Sequence, residues 1–363
     1  MSTKLIPVQT PAELDAFYRL GQEVYADYPL YRCGYGDILP LLVEGRSPFC
    51  EHADVTPYLI MRSGHPAGRF AFVHDRNLPD YAQIAFFEAL PDIENLAELI
   101  LKTAKQHYPL CSRLVVGLNG HVNYGAGFLL SRFDEVPIFE LPYTPAYYRD
   151  YFADLTERQM HTFRYPMQEF YAWGERMRDR ANLKGITVRG LDPKHFERDI
   201  GVYTELNNAC FTEHPYWSNR SLAEDLELFR PLEAFLHKDN LLFAEYQGKA
   251  VGFLFWLPDL NELLDGQETP GEKQLEKYQS GFKFEQYRFH EIAVVPGFRG
   301  PATLALFLAM LVSVKKMGCV YGEGGIIFAD NLASINMTKR YYQRVFGCLP
   351  EPWRRLAVYE AKL

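Results

Sequence analysis

YLIMRSGHPAGRFAFVHD (58–75) and LFAEYQGKAVGFLFWLPD (242–259) align without a gap, so that Gly64 falls on Gly248, Gly68 on Gly252 and Asp75 on Asp259 at a constant offset of 184 residues. Each copy is an apolar run, a short turn containing glycine and a second apolar run, which is the signature of a β-hairpin. The segments downstream of the two hairpins repeat as well. In the first half an apolar strand from Ile84 to Phe87 precedes the helical pattern DIENLAELILKTAKQHY (92–108) and the strand RLVVGLN (113–119). In the second half RFHEIAVV (288–295) precedes ATLALFLAMLVSVKKMG (302–318) and GGIIFADN (324–331). A helix between two strands is the crossover that joins parallel neighbours. The expected fold is therefore α/β (α+β), with two tandem units, each a mixed, mostly antiparallel sheet flanked by helices.

Between the repeats, RYPMQEFYAWGERMRDRANLKGITVRGLDP (164–193) carries an Arg-rich helical pattern and then restarts as a strand. The boundary is placed near residue 180, giving units 1–180 and 181–363. The polar stretch DGQETPGEKQLEKYQSG (265–281), with its Gly and Pro, is expected to be a mobile loop inside the second unit.

The chain has 363 residues, 48% hydrophobic and 23% charged, enough to bury a full core, and this excludes a disordered or fibrous protein. A net charge of −8 argues against a nucleic-acid partner. The six cysteines (Cys33, Cys50, Cys111, Cys210, Cys319, Cys348) are widely spaced, without a C-x-x-C or nearby C/H pairs. Neither a metal site nor a disulfide framework is expected, and the thiols fit a reducing, cytoplasmic setting. The N-terminus lacks an apolar run of signal-peptide type, and the longest apolar stretches are broken before about 18 residues, so no membrane contact is expected.

The segment richest in chemistry is HEIAVVPGFRGPATLALF (290–307). A strand ends at Pro296, an Arg-Gly turn follows and a helix begins, an arrangement that aims backbone N–H groups and a helix dipole at an anion. V-x-P-x-x-R-G before a helix resembles the acetyl-CoA loop of the GNAT (Gcn5-related N-acetyltransferase) superfamily. By that resemblance acetyl-CoA, or another acyl-CoA, is the cofactor, held by Ile292, Ala293, Val294, Arg299, Gly300 and Ala302. The pattern's later small residues are replaced here by Ala302 and Leu304, and Pro301 removes one N–H donor. NLASINMTKRYYQRVFG (331–347) resembles the superfamily's last shared element, which adds Asn331 and makes Tyr342, with Tyr341 beside it, the general acid for the leaving thiolate.

Acyl transfer to an amine needs a base, since an ammonium has no lone pair. Glu291 and Glu323, on or beside the two strands that flank the opened sheet centre, are the candidates, with His290 adjacent. Asp259 and Asn261 in WLPDLNELL are candidate acceptor contacts. The first half shows Glu88-Ala-Leu-Pro91-Asp92 where an R-G loop would stand, and is not expected to bind CoA in the same way. The whole-chain order, with SPFCEHADV (47–55) and ELPYTPAYYRDYF (140–152), also resembles bacterial tandem-GNAT proteins with a degenerate first half.

The resemblance implies an acyl-CoA-dependent N-acyltransferase, most simply an acetyltransferase, acting on a small-molecule amine or amino-acid-like acceptor; it admits a homodimer. The alternative is a non-catalytic GNAT-fold binding protein that has lost its cofactor. A Fem-type aminoacyltransferase is disfavoured by the absent coiled-coil arm and by the acidic charge. GEGG (322–325) lacks the Lys-Ser/Thr of a phosphate loop.

Overall fold

In the computed structural model, which describes residues 3–32, 38–267 and 269–363, turn chemistry fixes both hairpins. Ser63 and Gly64 take φ of 51° and 84°, Gln247 and Gly248 51° and 76°. Two successive left-handed residues make the turn whose twist matches that of the flanking strands. The repeat extends to an irregularity. Ile60 faces Gly68 while Met61 faces Pro66, which leaves Ala67 as an extra residue; Ala250 faces Glu245 while Gly252 faces Ala244, which leaves Val251. Ala67 and Val251 are related by the same 184-residue offset, so both hairpins carry one bulge at the equivalent place.

In chain order the elements are β1 (Thr3–Pro7), α1 (Pro11–Val24), α2 (Ile38–Val43), β2 (Ala53–Arg62), β3 (His65–Asp75), β4 (Tyr81–Ala89), α3 (Leu96–His107), β5 (Arg113–Val116), β6 (Phe128–Leu129), α4 (Tyr148–Tyr151), β7 (Thr156–Pro166) and α5 (Met167–Arg178). They continue as β8 (Ile186–Gly190), α6 (Phe196–Cys210), α7 (Leu222–Phe229), β9 (Leu241–Tyr246), β10 (Lys249–Pro258), α8 (Glu272–Gln279), β11 (Gln286–Val294), α9 (Arg299–Met317), β12 (Tyr321–Phe328), α10 (Leu332–Phe346) and β13 (Arg355–Lys362). The expected crossovers are present. β4 runs parallel to β5 across α3, and β11 parallel to β12 across α9, while the remaining pairings are antiparallel.

Among the described residues one sheet runs through both halves, in the order β1-β2-β3-β4-β5-β13-β7-β12-β11-β10-β9-β8, with β6 added on β13. The last strand, β13, leaves the second half to pair with β5 (Tyr359 opposite Val116), and β7, which precedes residue 180, pairs with β12 (Phe163 opposite Gly324). β13 and β7 then pair with each other. A cut near residue 180 falls in the turn after α5, but the hydrogen bonds cross that cut in both directions.

In the second half, Phe289 stacks on Phe307 of α9 at 5.6 Å, whereas its neighbour His290 lies 4.7 Å from Phe255, which in turn meets Phe229 of α7. Adjacent strand residues point to opposite faces, so α9 covers one face and α6 and α7 the other. The segment 265–281 departs from the expected loop, because it contains α8. Leu275 and Tyr278, one turn apart, pack inward, with Tyr278 5.7 Å from Phe235, and the Gln274 side chain returns to the Gly271 N–H at 3.1 Å. α9 departs too. Pro296–Met317 is long and apolar enough to cross a membrane by length and composition, with mean hydropathy 1.6 and 44% of that window buried inside the protein. Here it lies along β8 to β11 and against α5, which accounts for an apolar character on more than one side.

Candidate active site

The site begins where β11 and β12 part. Their ladder ends with Phe289 opposite Gly324, and on the other side of β11 the register slips by one at His290. Gly325 makes the divergence possible. Its φ is +118°, and a Cβ there would lie 2.6 Å from the His161 carbonyl oxygen. Just beyond the last rung stands Glu291. Tyr203 of α6 donates its hydroxyl to the Glu291 carboxylate at 2.6 Å, and Asn207 Nδ2 donates at 3.4 Å. Burial of the carboxylate outweighs these two hydrogen bonds and pushes its pKa up to about 7. A carboxyl group poised near neutrality can act as a general base toward a group brought within hydrogen-bond reach.

The strand past the bulge leads into the helix that the sequence singled out. Ile292 is half-buried and Ala293 and Val294 are buried, so this stretch offers backbone rather than side chains along its free edge. α9 starts at Arg299 with no side-chain cap. The first N–H groups of a helix have no partner within it, and Pro301 has no N–H to orphan, which leaves those of Arg299 and Gly300. Nothing lies within 4 Å of where a Gly300 Cβ would be, and Arg299 is exposed, its Nε 3.4 Å from the Val294 carbonyl. These residues fit a pyrophosphate. Ala302 is fully buried, with its methyl group in the core.

The remaining candidates are spread more widely. Glu323 is buried and committed: it accepts from the Thr162 hydroxyl at 2.6 Å and pairs with Arg354 Nε at 3.2 Å. Asp259 accepts the Phe139 N–H at 2.8 Å, and Asn261 donates to the Pro137 carbonyl at 2.9 Å; together they hold the 137–140 segment of the first half. Burial pushes Asp259 up to about 7. Asn331 caps α10 by accepting from Ser334 N at 3.1 Å. Tyr342 lies against Phe346 (4.4 Å) and Tyr165 (6.4 Å), whereas Tyr341 points between Phe307 (4.7 Å) and Trp173 (5.9 Å). His290 is buried with Nδ1 3.3 Å from Glu140, and burial holds its pKa well below the usual imidazole range. Among the described residues no three His, Cys, Asp or Glu converge as metal ligands, and the five described cysteines are free; Cys33 lies outside them.

Behind Glu291 lies a polar cluster that the sequence does not mark. Arg220, fully buried, holds Asp225 at 2.6 Å; Asp225 also accepts the Thr204 hydroxyl at 2.7 Å. Glu224 reaches His52 Nε2 at 3.4 Å, and His52 Nδ1 is 2.8 Å from Asp75. The acidic residues come from α7 and from the first half, so no local spacing could reveal them. The one local signal is the capping box of Ser221 and Glu224 that opens α7.

The first half fills its own equivalent groove. Ala89 stands opposite Gly68 as Val294 stands opposite Gly252. On its free edge Ala89 donates its N–H to the Tyr148 hydroxyl at 3.0 Å and accepts from the Tyr147 hydroxyl at 2.7 Å. Tyr151 bonds to the Leu90 carbonyl. Tyr148 also donates to buried Glu88 at 2.6 Å. The Pro- and Tyr-rich stretch 142–151 is therefore an internal plug on the edge that stays open in the second half.

Two hairpin-strand-helix-strand units, each with a strand ladder that opens at a bulge and fused through exchanged strands, define the tandem GNAT fold. The comparisons agree. The solved structure of a tandem GNAT protein from the clavulanic acid biosynthesis pathway, without AcCoA, matches 99% of this chain and 98% of its own at a TM-score of 0.53 and 13% identity. A GCN5-related glucosamine N-acetyltransferase region of a fungal multi-domain GH3 β-N-acetylglucosaminidase matches 99% of this chain and 38% of its own at a TM-score of 0.52 and 12% identity. In sequence, the chain is 24% identical over 285 residues to a bacterial ceramide synthase of Caulobacter vibrioides (strain NA1000 / CB15N), covering 72% of this chain and 71% of that protein. No family model matches.

Proposed function

We propose that the protein is an acyl-CoA-dependent N-acyltransferase acting on a small amine, with the donor bound by the second half. The observation that carries this reading is Glu291, a carboxylate with a pKa near 7 standing where the sheet opens, on the strand that leads into the uncapped α9 N-terminus. The likeness to a bacterial ceramide synthase supports amide formation, since a ceramide is an N-acyl compound. Acetyl-CoA is the simplest donor that the sequence resemblance implies, and the free thiols suit a cytoplasmic location.

In this scheme Arg299 and the N–H groups of Arg299 and Gly300 hold the pyrophosphate, and the backbone edge from Ile292 to Val294 takes the pantetheine arm. The cofactor, when bound, supplies the acyl thioester. Glu291 takes the proton that an ammonium must lose before its nitrogen can attack, directly or through a water, and Tyr203 and Asn207 fix the carboxylate for that task. The acceptor meets Glu291 on the side of the strand that faces α6, and the buried cluster of Arg220, Asp225 and Glu224 lies behind that carboxylate. Tyr342 or Tyr341 would return a proton to the thiolate.

The test is calorimetry with acetyl-CoA on the wild type and on Arg299→Ala, followed by thiol release against a panel of amines. Saturable binding weakened in the variant, with amine-dependent thiol release, supports the proposal. Absence of binding at millimolar cofactor would instead favour a fold kept for recognition alone.

A further inference from the structure

We propose that the acyl group is a long aliphatic chain, lodged in an apolar cavity between α5, α9, α10 and the sheet; this rests on the acyl-CoA reading above. Counted with the gaps between its wall atoms and the solvent at its mouth, the space enclosed is ≈ 560 Å³, of which about 50 Å³ is comparable with the voids of protein interiors. Its walls include Phe289, Phe307, Met310, Met337, Tyr341 and Trp173. Polar groups are few, the hydroxyls among its lining residues being those of Tyr165, Tyr287, Thr338 and Tyr341. Protein interiors are close-packed, with few voids larger than a water molecule, and an apolar void stays dry and accepts apolar ligands. An acetyl group, with a single methyl, leaves such a space unfilled.

Position decides the occupant. Phe289 is at once a wall of the cavity and the last rung of the β11–β12 ladder, and Glu291 stands two residues further on. Because of the bulge at His290, Phe289 faces α9 while Glu291 faces α6 and Tyr203. A thioester carbonyl placed at the parting of the strands thus has an apolar hole on one face of the sheet and, on the other, the Glu291 carboxylate held by Tyr203 and Asn207. The chain goes into the first and the amine comes from the second. Met310 and Met337 suit an occupant of variable shape, since thioether side chains adapt to irregular contacts.

The experiment titrates the protein with CoA, acetyl-CoA and dodecanoyl-CoA by calorimetry while following tryptophan fluorescence, with Trp173→Phe identifying the cavity's own signal. Each methylene that enters can raise affinity by up to about fourfold. Dodecanoyl-CoA is expected to bind at least ~10-fold more tightly than acetyl-CoA and to change Trp173 emission, which CoA alone leaves unchanged. Met310→Trp, which fills the cavity, is expected to remove that gain; the Trp173 signal of the wild type stands even if this variant is unstable. Equal affinity for the acetyl and dodecanoyl forms with no Trp173 response overturns the long-chain assignment while leaving the acyl-CoA reading in place. Failure of all three ligands to bind overturns both.

Discussion

Tyr203 donates its hydroxyl proton to Glu291 across 2.6 Å, joining the first helix after the chain's midpoint to the strand where the sheet opens. The bond favours the charged carboxylate, burial disfavours it, and burial prevails, leaving the group near pH 7.

Glu291 can accept a proton only when it has lost its own, so kcat/KM is expected to rise with pH through a midpoint of about 7. Glu291→Gln should lower turnover by about 10²- to 10⁴-fold above pH 7 and flatten the profile below it. Tyr203→Phe removes an interaction that favours ionisation, so its profile should move to higher pH. A Tyr203→Phe profile that superimposes on the wild type would count against this positioning role.

Arg299→Ala should weaken CoA about 10- to 100-fold, the usual worth of a charge-assisted hydrogen bond. Binding of a pantetheine fragment without phosphates should be unaffected. Parallel losses for both ligands would place Arg299 elsewhere.

Glu88, buried in the first half and pushed from 4.5 up to about 7 by desolvation, gives a stability test. Between those pH values the folded state holds a proton that the unfolded state has released, so its contribution to stability falls as pH rises. Glu88→Gln, which can still accept from Tyr148, should match the wild type near pH 4 and gain up to about 3 kcal/mol at pH 8. Urea melts at both pH values measure this, and equal differences at both would refute the assignment.

Gly325→Ala meets backbone at 2.6 Å and a φ of +118°, whereas Gly248→Ala meets open space at +76°. The first should cost about 2–4 kcal/mol and the second about 1. Comparable costs in thermal melts would mean that the parting of β11 and β12 does not depend on Gly325.

Arg354→Met leaves Glu323 buried and unpaired, at an expected cost of about 3–5 kcal/mol. Because β13 sits between β5 and β7, removal of residues 354–363 should destabilise both halves in one transition. Two separate melts, with the second half unchanged, would show that the exchanged strands do not couple them.

The hairpins, the two crossover helices and the Arg-Gly turn were legible in the sequence because each is set by neighbours in the chain: left-handed turn residues at Gly64 and Gly248, helical periodicity, and an uncapped start at Arg299. α8 is not legible in the sequence, since only Leu275 and Tyr278 mark its inner face, too few to stand out among Glu, Lys and Gln. Asp259 and Asn261 read as free polar groups, yet both hold the 137–140 segment, because their partners are backbone atoms more than a hundred residues away.

The sequence by itself determined that this chain is a duplicated unit, since strand pairing within each hairpin is a short-range matter of turn type; the matching bulges at Ala67 and Val251 are visible only in the strand register of the structure. Only the tertiary structure decided which half keeps an open groove. Tyr147, Tyr148 and Tyr151 close the edge of β4, the exchange of β7 and β13 merges two sheets into one, and α6 brings Tyr203 and Asn207 to Glu291. Each of these depends on pairing between groups remote in the chain, whose geometry no local pattern encodes.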